Sequence, residues 1–193
     1  RDRDPKDITV DREVEHMGSL IDHLGLDKVT LFGVSCGGPT AITYAAQKPS
    51  RVRNLILHGS YLRGCTICKP EVQEAMLGLV RASWGLGSKT LASIFTPDHS
   101  PEEIRRTSRM QRDSASSETA AQLLMLTYSA DIAAITPGVV APCLVTHRHH
   151  DSAVRFDAGR ELAASLPDAS FVPLDGTAPA PWDGDRAGLL EQT

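Results

Sequence analysis

The sequence predicts an α/β fold in three layers, with a parallel sheet between two layers of helices. Two observations predict it. Short apolar segments rich in β-branched residues alternate along the chain with longer segments of helical periodicity, and a glycine-rich turn joins the first such strand directly to a helix. Strands that alternate with helices connect through right-handed crossovers, which make the strands parallel and cover both faces of the sheet.

The elements follow in a regular order. Over residues 10–24, apolar side chains recur every three or four positions, so this segment is expected to be an amphipathic helix that Gly25 ends. Further helices are expected at 39–47, where Pro39 lies in the first turn, and at 156–165. Parallel neighbouring strands are expected, in this order, at 29–34, 52–58, 143–147 and 170–174.

Residues 61–137 contain no strand signal, only helical segments interrupted by glycine and proline. One helix is expected to begin at Ser100, because Pro101 suits the first helical position and the Glu103 carboxylate can close a capping box with the Ser100 hydroxyl. The apolar residues of this region either form the core of a helical insertion or line an apolar pocket for an acyl group.

The composition argues for one domain and against several functions. The 193 residues carry 20 Lys and Arg against 24 Asp and Glu, a net charge of −4, with no run of like charge. Binding to nucleic acid or to a membrane surface needs clustered cations, so neither is expected.

No apolar run approaches the roughly 20 residues of a membrane helix, and the chain opens on charged residues instead of a signal sequence, so a cytoplasmic location is expected. Four cysteines are too few for a disulfide scaffold.

The segment Gly33–Gly38 carries the clearest chemical signal, a G-x-S-x-G motif between a predicted strand and a predicted helix. The flanking glycines, Gly33 and Gly37, allow a tight turn that leaves the Ser35 side chain exposed. Ser35 then lies at a helix N-terminus, where the Cys36 N–H can stabilise an oxyanion. The alternative is an ordinary glycine-rich turn that carries a surface serine.

With this motif, the sequence resembles the α/β-hydrolase superfamily, and in particular hydrolase domains associated with nucleotide cyclases and transcriptional regulators. The resemblance extends over the segments 24–35, 49–57, 142–151 and 173–185. It implies Ser35 as nucleophile, Asp151 as the acid of a catalytic triad and Cys36 as an oxyanion-hole donor. It also implies a core of residues 1–60 and 138–193 with a helical cap of residues 61–137. The implied reaction is hydrolysis of a small ester, lactone or related acyl compound through an acyl-enzyme, without metal or cofactor.

The sequence departs from this family at the triad base. The family has a histidine two positions before the Pro181-Trp182 pair, and that position is Pro179. Serine is a poor nucleophile until a base accepts its proton, and loss of one triad member typically costs about 10⁴ to 10⁶ in rate. The candidate substitutes are His58, the first choice because it closes the second strand, and His147, His149 and His150. The competing hypothesis is a degenerate hydrolase fold that binds a small molecule or a protein partner without turnover.

A second departure concerns the number of strands. The resemblance implies about eight strands, whereas the sequence shows four, and the missing ones would precede Arg1. The 29–34 strand, normally central, would then have an open edge that is prone to aggregation. The alternatives are that the chain is a fragment, that an unseen segment pairs with this edge, or that a partner, such as a second copy of the chain, covers it.

Cys65 and Cys68 have the spacing of a zinc or redox pair, which His147, His149 and His150 could complete. The alternative is that they are two ordinary thiols of the cap, which the lack of a second compact ligand pair favours.

Overall fold

The protein is described by a computed structural model that covers Pro5 and residues 7–184. Its centre is a four-stranded parallel sheet in the order β1 (Val29–Val34), β2 (Val52–His58), β3 (Cys143–Arg148) and β4 (Ala169–Leu174). The four strands, their order and their direction confirm the sequence prediction. Val34 pairs with His58, and His58 pairs with Thr146, so the carboxyl ends of the first three strands meet at one edge of the sheet.

Seven α-helices accompany the sheet in the described residues. They are α1 (Val10–His23), α2 (Gly37–Gln47), α3 (Pro70–Ala82), α4 (Trp84–Phe95), α5 (Pro101–Ser114), α6 (Ser117–Ser129) and α7 (Phe156–Ser165). Short 3-10 turns lie at Pro49–Arg51, Gly64–Thr66 and Thr136–Gly138. The chain leaves α1 through Gly25, whose φ of 65° is in the left-handed region that favours glycine. α2 begins two residues earlier than predicted, because the Gly38 N–H already donates to the Ser35 carbonyl.

The main core lies around the central strand β2. Leu55 and Leu57 are fully buried there, and they belong to the same apolar cluster as Ile42 of α2, Val145 of β3 and Leu162 of α7. Burial of each such side chain contributes about 1.5–3 kcal/mol. This packing fixes α2 against the sheet and thereby fixes the turn that precedes α2.

The helices α3–α6, called the cap helices, follow β2 and precede β3. α3, α4 and α6 share a separate apolar cluster that includes Val80, Leu91 and Ala121. The capping box predicted at the start of α5 is present, with the Ser100 hydroxyl accepting from the Glu103 N–H and the Glu103 carboxylate accepting from the Ser100 N–H. The division of the chain at residues 60 and 138 stays a prediction.

β1 is an edge strand of the sheet that the described residues form, as the sequence predicts for this chain. Phe32, in its middle, is 50% exposed. None of the described helices is both long enough and apolar enough to cross a membrane.

Candidate active site

The turn after β1 holds Ser35 in an unusual backbone conformation. Its φ of 49° is in the left-handed region, which costs a residue with a side chain about 1–2 kcal/mol. The Ser35 N–H donates to the His58 carbonyl at 2.9 Å, and the Ser35 carbonyl accepts from the Gly38 N–H at 3.0 Å and from the Ser60 hydroxyl at 2.9 Å. These bonds hold the serine at the carboxyl ends of the strands, where open parallel sheets bind ligands.

Close packing requires two of the three glycines around this turn. A Cβ on Gly33 would lie 2.9 Å from the Gly38 Cα, and a Cβ on Gly38 would lie 1.9 Å from the Ser60 Oγ. A Cβ on Gly37 would meet no described atom within 4 Å. The sequence motif predicted that Gly33 and Gly37 are the glycines the tight turn needs. The structure instead excludes a side chain at Gly33 and Gly38, and it does so at Gly38 because the start of α2 packs against Ser60.

Cys36 follows the serine and caps the N-terminus of α2. Amides in the first turn of a helix have no carbonyl partner within that helix, and they lie at the positive end of its dipole. The Cys36 N–H is therefore suited to donate to an oxygen that becomes negatively charged beside Ser35. Cys36 lines the pocket and is exposed to solvent. Crowding by the surrounding residues raises the pKa of its thiol.

Asp151 lies in the loop after β3, and its side chain is fully buried. One carboxylate oxygen, Oδ1, accepts from the N–H groups of Ala153 at 2.8 Å and Val154 at 2.9 Å. The other, Oδ2, has no hydrogen-bond donor among the described residues; His147 Nε2 is 3.7 Å away. Burial raises the pKa of Asp151, against the opposing effects of the two N–H donors, His147 and Arg148. The carboxylate is thus held by one oxygen, while the other remains available to a donor.

Gly59 connects Asp151 with the segment that contains Pro179. A Cβ on Gly59 would lie 3.1 Å from Asp151 Oδ2 and 3.6 Å from the Pro179 carbonyl oxygen, and the φ of Gly59 is 56°. Gly59 follows directly on His58, whose carbonyl binds the Ser35 N–H. Ser35 and Pro179 line the same pocket. The structure therefore gathers Ser35, Asp151 and Pro179 around one corner of the sheet edge, with Gly59 between them.

His58 is not among the described residues that line this pocket. Its ring is fully buried, with Nδ1 2.8 Å from the Thr146 hydroxyl oxygen on the neighbouring strand. Burial, and then the nearby charges of Arg148 and His147, lower the pKa of His58 to about 4. An imidazole with this pKa is a weak base at neutral pH. The other ring nitrogen, Nε2, is buried without a hydrogen-bond partner among the described residues, so no hydrogen bond joins the ring to Ser35.

The other three candidate bases also lie outside the pocket lining. His147 is fully buried, with Nε2 2.9 Å from the Val154 carbonyl oxygen. A Cβ on Gly159 of α7 would lie 2.2 Å from its Nδ1, so the ring packs directly under that helix. His149 and His150 are exposed loop residues.

Among the described residues, the fold brings no further metal ligands to Cys65 and Cys68. Cys65 is exposed, Cys68 is partly buried, and both are free thiols. Within the part of the chain that the structure describes, no three His, Cys, Asp or Glu side chains are placed to share a metal ion.

A pocket of about 930 Å³ opens above Ser35 and extends between the cap helices and the sheet edge. Its lining is mainly apolar and includes Leu91, Phe95, Met110 and Leu123 of the cap helices. Trp182, which is 64% exposed, joins the lining from the segment after β4. Arg106 is the one Lys or Arg among the described lining residues. The pocket suits a small, mostly apolar ligand with one anionic group.

Two contributors to the site were missed in the sequence, Gly59 and Ser60. Gly59 allows Asp151 and the Pro179 segment to approach, and Ser60, fully buried, bonds the Ser35 carbonyl. A signal was present, because both residues follow directly on a predicted strand, and site residues gather at the carboxyl ends of parallel strands.

Comparison with known proteins agrees with this fold. The profile of the α/β hydrolase fold family matches residues 3–185. A 2-hydroxy-6-oxononadienedioate/2-hydroxy-6-oxononatrienedioate hydrolase of Dechloromonas aromatica is 32% identical over 161 residues, which are 79% of this chain and 56% of that protein. The chain thus spans about half the length of that relative.

Two solved structures share the fold. A hydrolase from Oleispira antarctica superposes with a TM-score of 0.85 at 15% identity, covering 97% of this chain and 75% of its own. The enol-lactonase of Burkholderia xenovorans superposes with a TM-score of 0.75 at 26% identity, covering 95% of this chain and 70% of its own. The family match spans nearly the whole chain and the architecture agrees with it, so the chain belongs to the α/β hydrolase fold family.

Proposed function

We propose that this chain carries the site of a serine hydrolase for small acyl compounds, with Ser35 as its nucleophile. The observation that carries the proposal is the left-handed φ of Ser35 at the floor of the apolar pocket. A strained serine is kept at such a turn only where the surrounding structure holds it, and such strain clusters at functional sites. The substrates are esters, lactones or related acyl compounds.

The reaction proceeds through an acyl-enzyme. Ser35 Oγ attacks the substrate carbonyl carbon, and the oxygen of that carbonyl takes up negative charge beside the Cys36 N–H. Collapse of this intermediate breaks the bond to the leaving group, which takes up a proton as it departs. Water then attacks the acyl-enzyme and releases the acid together with Ser35. Asp151 is suited to orient a base through its available Oδ2.

Pro179 lies beside Asp151 and lines the pocket with Ser35. His99, the one histidine among the described lining residues, lies 3.4 Å from Asp183 Oδ1. Proline has no group that accepts a proton. At position 179 it leaves the Ser35 hydroxyl without the base of a complete triad, so we expect the proton of Ser35 to pass to solvent and acylation to be slower than in a complete triad by about 10⁴ to 10⁶. We expect turnover by this chain to be slow and to depend on Ser35.

The pocket favours an acyl compound with an anionic end. Arg106 of α5 can pair with a carboxylate, while the apolar lining takes the body of the molecule. The relative from Dechloromonas aromatica is named for a dioate substrate, which supports the same choice. Arg105, exposed and outside the lining, provides a matched control for Arg106.

The second candidate function is binding of such a molecule without turnover, and the observation that favours it is Pro179 itself. The two candidates differ in whether Ser35 becomes acylated. Incubation with a p-nitrophenyl ester, followed by mass spectrometry of the intact protein, measures this directly. The proposal expects a covalent acyl adduct that Ser35→Ala abolishes; tight binding of the ester without any adduct would establish the binding function.

The preference for an anionic end is tested on the same protein. We expect Arg106→Ala to weaken the binding of p-nitrobenzoate about tenfold or more and Arg105→Ala to leave it within twofold. Equal effects of the two substitutions would show that Arg106 is only part of a solvated helix face.

A further inference from the structure

Arg148, at the end of β3, is a buried arginine that the reaction scheme above does not use. It is 1% exposed. Its Nη1 donates to the carbonyl oxygens of Ala178 and of Ala180, the latter at 2.7 Å, and its Nη2 donates to the carbonyl oxygen of Asp183. All three acceptors belong to the segment 178–183 that follows β4. A buried cation is costly unless polar groups surround it, and these carbonyl dipoles serve that purpose.

Two glycines that flank the segment 178–183 lie close to the Arg148 side chain. A Cβ on Gly176 would lie 3.3 Å from Arg148 Cδ, and one on Gly184 would lie 3.6 Å from Arg148 Nη2. Both glycines have a left-handed φ, 115° and 70°. The segment 176–184, called the wrap, therefore turns around the guanidinium and contacts it along its length.

The wrap forms one wall of the pocket. Pro179, Ala180, Trp182 and Asp183 all line it. Asp183 Oδ1 also lies 3.4 Å from His99 Nε2, in the link between α4 and α5. The wrap thus carries position 179 beside Asp151 and provides a contact point for the cap helices.

We propose that Arg148 is a positioning residue, which holds the wrap in place as the pocket wall and fixes position 179 beside Asp151. This inference rests on the proposed function insofar as the pocket is the substrate site. The guanidinium is suited to the task because its donors are fixed in a planar fork that spans several carbonyl oxygens, whereas the donors of an ammonium group are confined to one nitrogen. Its charge also favours the ionised form of Asp151 and the neutral form of His58.

Hydrogen exchange of the wrap amides tests the inference without any need for turnover. Arg148→Met keeps an unbranched stem and removes the charge and the donors. Arg148→Lys keeps the charge and loses the fork. We expect both variants to speed exchange in residues 176–184, by about tenfold in Arg148→Met, with the amides of β1 and α1 unchanged. Exchange in the wrap within twofold of the unsubstituted chain, in either variant, would overturn the inference.

Chemical rescue separates positioning from simple filling of space. In Arg148→Ala, guanidinium chloride at low millimolar concentration should restore slow exchange in the wrap, whereas an equal concentration of sodium chloride should not. Should Arg148→Met and Arg148→Ala both fail to fold, Arg148→Lys supplies the exchange comparison. Equal effects of the two salts would overturn the inference, because they would show that no guanidinium site exists between the carbonyls.

The link to position 179 is tested with Pro179→His, in which the base is supplied. We expect the gain in kcat that Pro179→His gives on p-nitrophenyl butyrate to fall at least tenfold when Arg148→Lys is added. An unchanged gain would overturn the positioning of residue 179 by Arg148. Should Pro179→His give no gain in either background, the proposed function fails, while hydrogen exchange still decides the role of Arg148.

Discussion

Replacing Gly38 with alanine perturbs the turn that holds Ser35. The new Cβ would lie 1.9 Å from the Ser60 Oγ and 2.7 Å from the Ser60 Cβ, neither of which is the end of a long flexible side chain. Forcing extra volume into a packed site costs about 1–3 kcal/mol, and alanine regains up to about 1 kcal/mol over glycine within a helix. We expect a net loss of about 2 kcal/mol in the free energy of unfolding, which for a chain of this length lowers Tm by roughly 4–8 °C.

Urea denaturation and thermal melting, followed by circular dichroism, measure the loss. Gly37→Ala is the matched control, since a Cβ there meets open space, and it should change stability by less than about 0.5 kcal/mol. The double variant Gly38→Ala/Ser60→Gly removes the clash, so its stability should exceed the sum of the single effects by about 2 kcal/mol. Additive effects of the two substitutions would refute the reasoning, because they would show that Ser60 is not what excludes a side chain at position 38.

Three further predictions concern the scaffold. In the folded protein the pKa of His58 is lowered from 6.5 to about 4, so its imidazole stays neutral there at pH values where the same imidazole is protonated in the unfolded chain. The free energy of unfolding should therefore fall by about 3 kcal/mol as pH drops from 6.5 to 4. His58→Gln should flatten that part of the pH profile measured by urea denaturation, and an unchanged profile would contradict the prediction. Ser100→Ala should cost about 1 kcal/mol, with faster hydrogen exchange confined to the first turn of α5; no local change would show that the capping box contributes nothing. Gly159→Ala should lower the free energy of unfolding by about 2 kcal/mol, because its Cβ meets the His147 ring, and a neutral result in chemical denaturation would argue that α7 moves freely away from β3.

The sheet could be predicted from the sequence nearly to the residue. A parallel strand covered on both faces has an apolar centre, so β2 and β3 are visible in the sequence by the short apolar runs 55–57 and 143–145. The start of α2 was less visible, because Gly37 and Gly38 have low helix propensity. In the structure the Gly38 N–H bonds the Ser35 carbonyl, and the close approach of Ser60 leaves room only for glycine at position 38.

The candidate site was predictable where it depends on local sequence and not where it depends on distant contacts. The turn at Ser35 follows from a strand, a helix and the glycines between them. The contact between the His58 ring and the Thr146 hydroxyl depends on the pairing of β2 with β3, which brings together residues 88 positions apart. The hydrogen bonds from Arg148 to carbonyl oxygens of residues 178–183 depend in the same way on a segment about 30 residues further along the chain.

The most direct test of the account concerns Ser35 as a nucleophile that lacks its base. The measurement is kcat/KM for p-nitrophenyl butyrate with the unsubstituted chain, Pro179→His, Pro179→Asn and Pro179→His/Ser35→Ala. Asparagine removes the proline ring as histidine does but supplies no base, so it controls for the change in backbone. The account predicts slow hydrolysis by the unsubstituted chain, a gain of at least about 100-fold in Pro179→His alone, and loss of that gain when Ser35 is removed. Equal rates for Pro179→His and Pro179→Asn, or Ser35-dependent hydrolysis by the unsubstituted chain at an ordinary enzymatic kcat of about 1–10³ s⁻¹, would contradict it.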